Sequence, residues 1–92
     1  MKVHRLEKTF TIVNSLGLHA RPAAIVVQTA NRFKSDIQFE KDGLQINAKS
    51  IMGVLTLAAG RGSLVVVVCE GVDAAEALAA LAKVFESGFG ER

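Results

Sequence analysis

The sequence predicts an α+β fold: one open four-stranded sheet with three helices on a single face, in the order βαββαβα. Three observations carry that reading. Three short segments alternate apolar and polar residues and a fourth is rich in Val; three longer segments place apolar residues at helical spacing; and an Asp-Gly pair joins two of the alternating runs. For a chain of 92 residues, half of them hydrophobic, one open sheet is the economical way to bury three amphipathic helices in one domain, residues 1–92.

The elements follow in order. Lys8 to Val13 alternates, with Phe10 and Ile12 on one face and Thr9 and Thr11 on the other, as a half-buried strand does. Met1 to Glu7 shows no supporting pattern and reads as an N-terminal extension, and His4 within it receives no role. Asn14 to Gly17 breaks the strand. From Arg21 to Lys34 the period changes: Ala23, Val26, Val27, Ala30 and Phe33 form one helical stripe, with Pro22 in the first turn, where a missing N–H costs nothing. Ser35 to Asn47 returns to a period of two, with Ile37 and Phe39, then Leu44 and Ile46, flanking Lys41-Asp42-Gly43, a strong hairpin signal. Lys49 to Ala58 reads as a short helix with Ser50 near its N-cap, and Gly60-Arg61-Gly62 as a turn. Leu64 to Cys69 has the Val-rich composition of a central strand. Asp73 to Glu86 closes the chain as a helix. Asp73 and Glu76 stand at capping-box spacing, Ala77, Leu78, Leu81, Val84 and Phe85 form the stripe, and Gly88 ends it.

Composition excludes several classes. Eleven Lys and Arg against nine Asp and Glu leave a net charge of +2 with no basic run longer than two residues, and Tyr and Trp are absent. A dedicated nucleic-acid binder concentrates its basic residues and offers aromatics for stacking, so no nucleic-acid partner is expected. An RNA-binding split β-α-β sheet would need exposed aromatics on its central strands, and Leu64 to Cys69 offers none. The lone Cys69 has no internal disulfide partner and reads as a small core hydrophobe in a reducing compartment. Without a signal-peptide pattern or a long apolar run, a cytoplasmic protein with no membrane insertion is expected. Two His, one Cys and scattered carboxylates show no metal-ligand spacing, no nucleotide fingerprint is complete, and no cofactor is expected.

The chemistry concentrates in Gly17-Leu18-His19-Ala20-Arg21-Pro22-Ala23, at the junction of the first strand and first helix. There the free amides of a helix start and the positive end of its dipole make an anion site beside His19. Arg21 adds a guanidinium suited to phosphate oxygens, and Gly17 permits close approach or a positive φ. Neutral imidazole is a nucleophile at neutral pH and needs no general base. A phosphoryl acceptor and a helix-capping His beside a surface Arg both remain open on the residues alone.

That segment, together with Asn47-Ala48-Lys49-Ser50-Ile51-Met52-Gly53-Val54, resembles the histidine-containing phosphocarrier (HPr) family of the bacterial phosphoenolpyruvate-dependent phosphotransferase system, from about Lys8 to the end. The resemblance implies an open-faced β-sandwich with an antiparallel sheet. It also implies a carrier that is not itself an enzyme: His19 accepts a phosphoryl group on Nδ1 from enzyme I and passes it to a IIA-type acceptor, with Arg21 contacting the phosphate. Ser50 matches the serine modified by the HPr kinase/phosphorylase in many relatives, although a plain N-cap explains it equally well. Ile51, Met52 and Leu55 match the family's apolar docking patch, with Lys49 as a rim charge; a monomer is expected.

Three departures bear on partner choice. Leu16 stands where many relatives have a small polar residue able to help cap the first helix. Gln28 and Asn31 replace Lys found in some sugar-branch relatives, and Met1 to Glu7 extends the usual start. Asn14-Ser15-Leu16-Gly17 resembles nitrogen-branch relatives, whereas Lys49 to Gly53 resembles the kinase-regulated sugar type. Sugar transport is therefore the first expectation, with a nitrogen-branch or purely regulatory phosphocarrier lacking sugar transport partners as the alternative.

Overall fold

Alternation along four extended segments sets the layering. In the computed structural model of the chain, which describes residues 3–91, the strands are β1 (His4–Thr11), β2 (Asp36–Lys41), β3 (Leu44–Asn47) and β4 (Leu64–Gly71). They form one sheet in the order β1-β4-β2-β3, every neighbouring pair antiparallel. The helices are α1 (Ala20–Ala30), α2 (Ile51–Thr56) and α3 (Ala74–Glu86), followed by a 3₁₀ turn at Gly88–Gly90. The expected α+β architecture is therefore present. Phe10 lies opposite Val65, Phe39 opposite Val67 and Ile37 opposite Cys69, so one face presents a continuous apolar surface, and all six are buried. Phe85 of α3 drops into its middle. It stacks on Phe10 at 4.8 Å between ring centroids and meets Phe39 and Phe89 edge-on at 5.5 and 5.1 Å. The β2–β3 hairpin closes through Asp42 and Gly43, both at positive φ (52° and 84°), the type I′ turn that matches strand twist.

The boundaries differ from the expected ones for identifiable reasons. β1 begins at His4, so most of the expected extension is strand: His4 to Glu7 pair with Val68 to Gly71 of β4. Its one partly buried apolar residue, Leu6, is too little to show as alternation, because Arg5 and Glu7 face solvent on this edge strand. Met1 and Lys2 lie outside the described residues. α1 stops at Ala30, four residues early, where Asn31 donates its side-chain amide to Val27 O (2.8 Å) and Lys49 O (3.3 Å). Phe33 then packs against the core from a loop. β4 runs on to Gly71, and α2 is shorter at both ends than expected.

The expected capping box at α3 does not form. Asp73 occupies the N-cap, but its carboxylate accepts hydrogen bonds from the backbone of Lys34 and Ser35 (2.9 Å each) and from the Ser35 hydroxyl. The Ser35 hydroxyl and the two amides hold the Asp73 carboxyl down to about 2. The residue fastens the α1–β2 loop to the start of α3.

Candidate functional site

The loop from Asn14 to Leu18 enters α1 through a close backbone approach. Gly17 has φ +67°, and a Cβ added there would lie 2.3 Å from the Ala59 carbonyl oxygen, so only glycine fits. Leu18 N–H donates to that same carbonyl at 2.9 Å, which anchors the loop to the segment after α2. The next residue, His19, is the N-cap of α1 in extended conformation (φ −80°, ψ −168°), and its carbonyl accepts from Ala23 N at 2.9 Å. Its ring makes no cap hydrogen bond and is 36% exposed.

Pro22 is the third residue of the helix and lies within its first turn, as expected. The first turn therefore offers the amides of Ala20 and Arg21, and Pro22 supplies no donor. No acidic side chain occupies that turn. Arg21 is exposed, and its guanidinium has no hydrogen-bond or ion-pair partner among the described residues. Two amides, a helix dipole and an uncommitted guanidinium converge on one end of α1, an arrangement suited to an anion.

Two further residues complete the site, and no sequence signal pointed to either. Glu91 lies 72 positions from His19, yet its Oε1 and Oε2 stand 3.0 and 3.1 Å from His19 Nε2. Asn14, 1% exposed, donates its side-chain amide to Glu91 Oε1 at 3.0 Å and to Gly17 O at 2.8 Å. The His19 ring first, then Asn14 and the nearby Arg21 charge, hold the Glu91 carboxyl below the usual carboxylate range. An ionised carboxylate only accepts, so Nε2 carries the proton and Nδ1 carries the lone pair of the neutral ring. Among the described residues Nδ1 has no hydrogen-bond partner.

α2 lies beside α1 in the opposite direction. Its start is tied to the far end of α1, through Asn31 to Lys49 O and through Lys49 Nζ, which donates to Phe33 O at 2.8 Å. Its far end reaches the His19 loop through Ala59. Lys49, expected as a rim charge, thus has its ammonium on a backbone carbonyl. Ser50 is the N-cap of α2, its Oγ accepting from Gly53 N at 3.2 Å. α1, with 11 residues, is roughly 16 Å long, with His19 at its start and Ser50, next to Lys49, beside its far end. Between them Val54 is buried while Ile51, Met52 and Leu55 are 43%, 70% and 39% exposed, an apolar patch on the surface of α2. Leu16, at 73% exposed, and the exposed Gln28 do not cap or brace α1.

Other candidates fall away. Burial, and secondarily the Asp73 charge, pushes the Cys69 thiol up to about 11, so it is an inert core group. His4 is exposed at the start of β1. Among the described residues no group of three His, Cys, Asp or Glu side chains is placed to hold a metal ion, and no helix is long and apolar enough to cross a membrane.

Known proteins are similar to the chain over most of its length. The family model described as the PTS HPr component phosphorylation site matches residues 6–87. The phosphocarrier protein HPr of Treponema pallidum is 49% identical over 84 residues, 91% of this chain and 96% of that protein. The crystal structure of HPr-C-His from Thermoanaerobacter tengcongensis superposes with a TM-score of 0.91 at 50% identity, covering 95% of this chain and 98% of the other. Crh, the Bacillus subtilis catabolite repression protein described as a dimer with a swapping domain, superposes with a TM-score of 0.73 at 50% identity, covering 80% and 85%.

Proposed function

Because the chain belongs to the HPr family of phosphotransferase-system components, we propose that it carries a phosphoryl group on His19 between two partner proteins. The observation that carries this reading is the Nδ1 of His19 at the start of α1, without a partner among the described residues, its other nitrogen occupied by Glu91. The Nδ1 lone pair attacks phosphorus on a phosphorylated donor, enzyme I by family resemblance. The bond from phosphorus to the donor nitrogen breaks, and its electron pair stays with the donor. The Ala20 and Arg21 amides, the α1 dipole and the Arg21 guanidinium then lie beside the new dianion. Transfer to a IIA-type acceptor reverses each of these changes.

Ser50 is the proposed regulatory site, and HPr kinase/phosphorylase the proposed modifier. A phosphate on Oγ would face the amides at the start of α2 and add up to two negative charges beside Ile51, Met52 and Leu55. The roughly 16 Å length of α1 separates it from His19 and exceeds the ~10 Å Debye length, so it acts on the partner docked over α2 rather than on the imidazole. We place the protein in the cytoplasm as a monomer in the relay; the dimer described for Crh makes sedimentation of the purified chain the direct check. The likeness to Crh also favours a second, purely regulatory reading. Incubation with enzyme I and phosphoenolpyruvate tests the carrier: an acid-labile adduct on His19 is expected, and failure to label where a known relative labels refutes it. Onward transfer to a sugar-branch or a nitrogen-branch IIA protein identifies the route, and transfer to neither selects regulation.

A further inference from the structure

We propose that Glu91, fastened by Asn14, is a positioning residue that holds the His19 imidazole as its Nε2–H tautomer and so presents Nδ1 as the nucleophile. The proposal deepens the carrier reading and rests on it. Both carboxylate oxygens lie within 3.1 Å of Nε2, and Oε1 also accepts from Asn14, so the carboxylate is fixed from two sides. Asn14 spends its two N–H donors on Glu91 and on Gly17 O, while its buried Oδ1 finds no donor.

The tail that delivers Glu91 is itself anchored. Gly88, Phe89 and Gly90 all have positive φ (64°, 58° and 74°), which turns the chain back after α3, and Glu91 N–H donates to Gly88 O at 2.9 Å. Phe89 is 3% exposed and packs edge-on against Phe85, so the turn is plugged into the core. A carboxylate brought to one ring nitrogen by a core-anchored turn is the device by which hydrogen-bonded carboxylates orient imidazoles elsewhere.

The consequence for transfer is an even balance of protons. When Nδ1 bonds to phosphorus, the proton already on Nε2 stays there and the ring becomes an imidazolium, with the Glu91 carboxylate beside the new positive charge. When the acceptor takes the phosphoryl group, the Nδ1–P electron pair returns to the ring, and the neutral Nε2–H tautomer is regenerated. No proton is exchanged with solvent in either direction.

The test is Glu91→Gln in the full chain. Ring ¹⁵N spectra of wild type, recorded at alkaline pH, should show essentially one tautomer with a protected Nε2–H. The Gln variant should show a mixed population with a rapidly exchanging ring proton, and single-turnover transfer from phosphorylated enzyme I should slow by roughly ten-fold. Asn14→Ala should move both readouts the same way by less. Equal melting temperatures for wild type and E91Q, alongside altered ring spectra, separate positioning from a structural role. Unchanged ring spectra and an unchanged transfer rate in E91Q overturn the proposal while wild-type labelling leaves the carrier reading intact. Wild-type protein that does not label overturns the carrier reading and this one with it.

Discussion

Replacing Gly17 by Ala asks whether the entry to α1 depends on backbone contact. The added Cβ would lie 2.3 Å from Ala59 O and 2.7 Å from Gly60 Cα, both main-chain atoms with no rotamer to escape into. Residue 17 would also have to keep φ +67°, a left-handed conformation that costs an alanine roughly 1–2 kcal/mol. Relief of the clash requires Ala59 and Gly60 to withdraw, which breaks the 2.9 Å bond from Leu18 N–H and strands buried groups at a further cost of about 1–3 kcal/mol. A total loss near 3 kcal/mol corresponds to a melting temperature lower by roughly 12–24 °C in a domain of this size. Two control substitutions divide that figure. Gly43→Ala keeps the positive φ (84°) but meets nothing within 4 Å, and should cost only the conformational part, about 1–2 kcal/mol. Gly60→Ala meets nothing within 4 Å and needs no positive φ, and should stay within about 0.5 kcal/mol. Scanning calorimetry on the three variants decides the matter. If Gly17→Ala melts with Gly43→Ala, the close approach to Ala59 carries no energy and the argument for the loop fails.

Outcomes at four other positions are expected. His19→Ala should abolish labelling by enzyme I while melting within a few degrees of wild type, since the ring is partly exposed; a collapsed fold would make the ring a structural element instead. Arg21→Ala should label roughly ten- to hundred-fold more slowly with unchanged stability, because the guanidinium bonds to no described residue. Ser50→Ala should lower stability by about 1 kcal/mol in urea titrations through loss of the α2 cap. Ser50→Asp should slow transfer from enzyme I while leaving spontaneous hydrolysis of phospho-His19 unchanged, and a faster hydrolysis would contradict the separation argued above. Asp73 has a carboxyl depressed to about 2, so it stabilises the fold above the ordinary carboxylate range near 4 and ceases to do so as pH falls through 2. The urea midpoint of Asp73→Asn should therefore lie below wild type at pH 7, with the gap closing toward pH 2.

Legibility in the sequence followed the range of the interactions. The stripe through Ala23, Val26 and Ala30, the Asp42-Gly43 turn and the Val-rich β4 depend on neighbours a few residues away, and each stands where periodicity placed it. The start of β1 was missed because an edge strand with one partly buried apolar residue has little pattern to show. Asp73 misled for a related reason: capping-box spacing is local, whereas its carboxylate is claimed by Lys34 and Ser35, 39 and 38 positions away. The site divides the same way. His19, Arg21, Ser50 and the α2 patch sit in contiguous motifs. Glu91 and Asn14 join it only because a turn after α3 folds back over the entrance to α1, and nothing in the residues around Glu91 announces that path.

The two proposed phosphorylation positions share one piece of backbone chemistry and differ in what leaves. Both His19 and Ser50 are N-caps in extended conformation, so each would set a phosphate against free amides at the positive end of a helix. If that electrostatic setting governed lifetime, the two adducts would persist alike. On His19, however, the bond to phosphorus is made to an imidazolium whose Nε2 proton is held by Glu91, and the departing group is a neutral imidazole that needs no further proton. On Ser50 the departing group is an alkoxide, and no described side chain bonds to Oγ to protonate it; its one hydrogen bond comes from Gly53 N–H. The same helix-terminus design would therefore hold a transferable group at the start of α1 and a lasting mark at the start of α2. What distinguishes them is the leaving group: a neutral imidazole, its Nε2–H facing Glu91, would depart from His19, whereas an alkoxide would have to depart from Ser50.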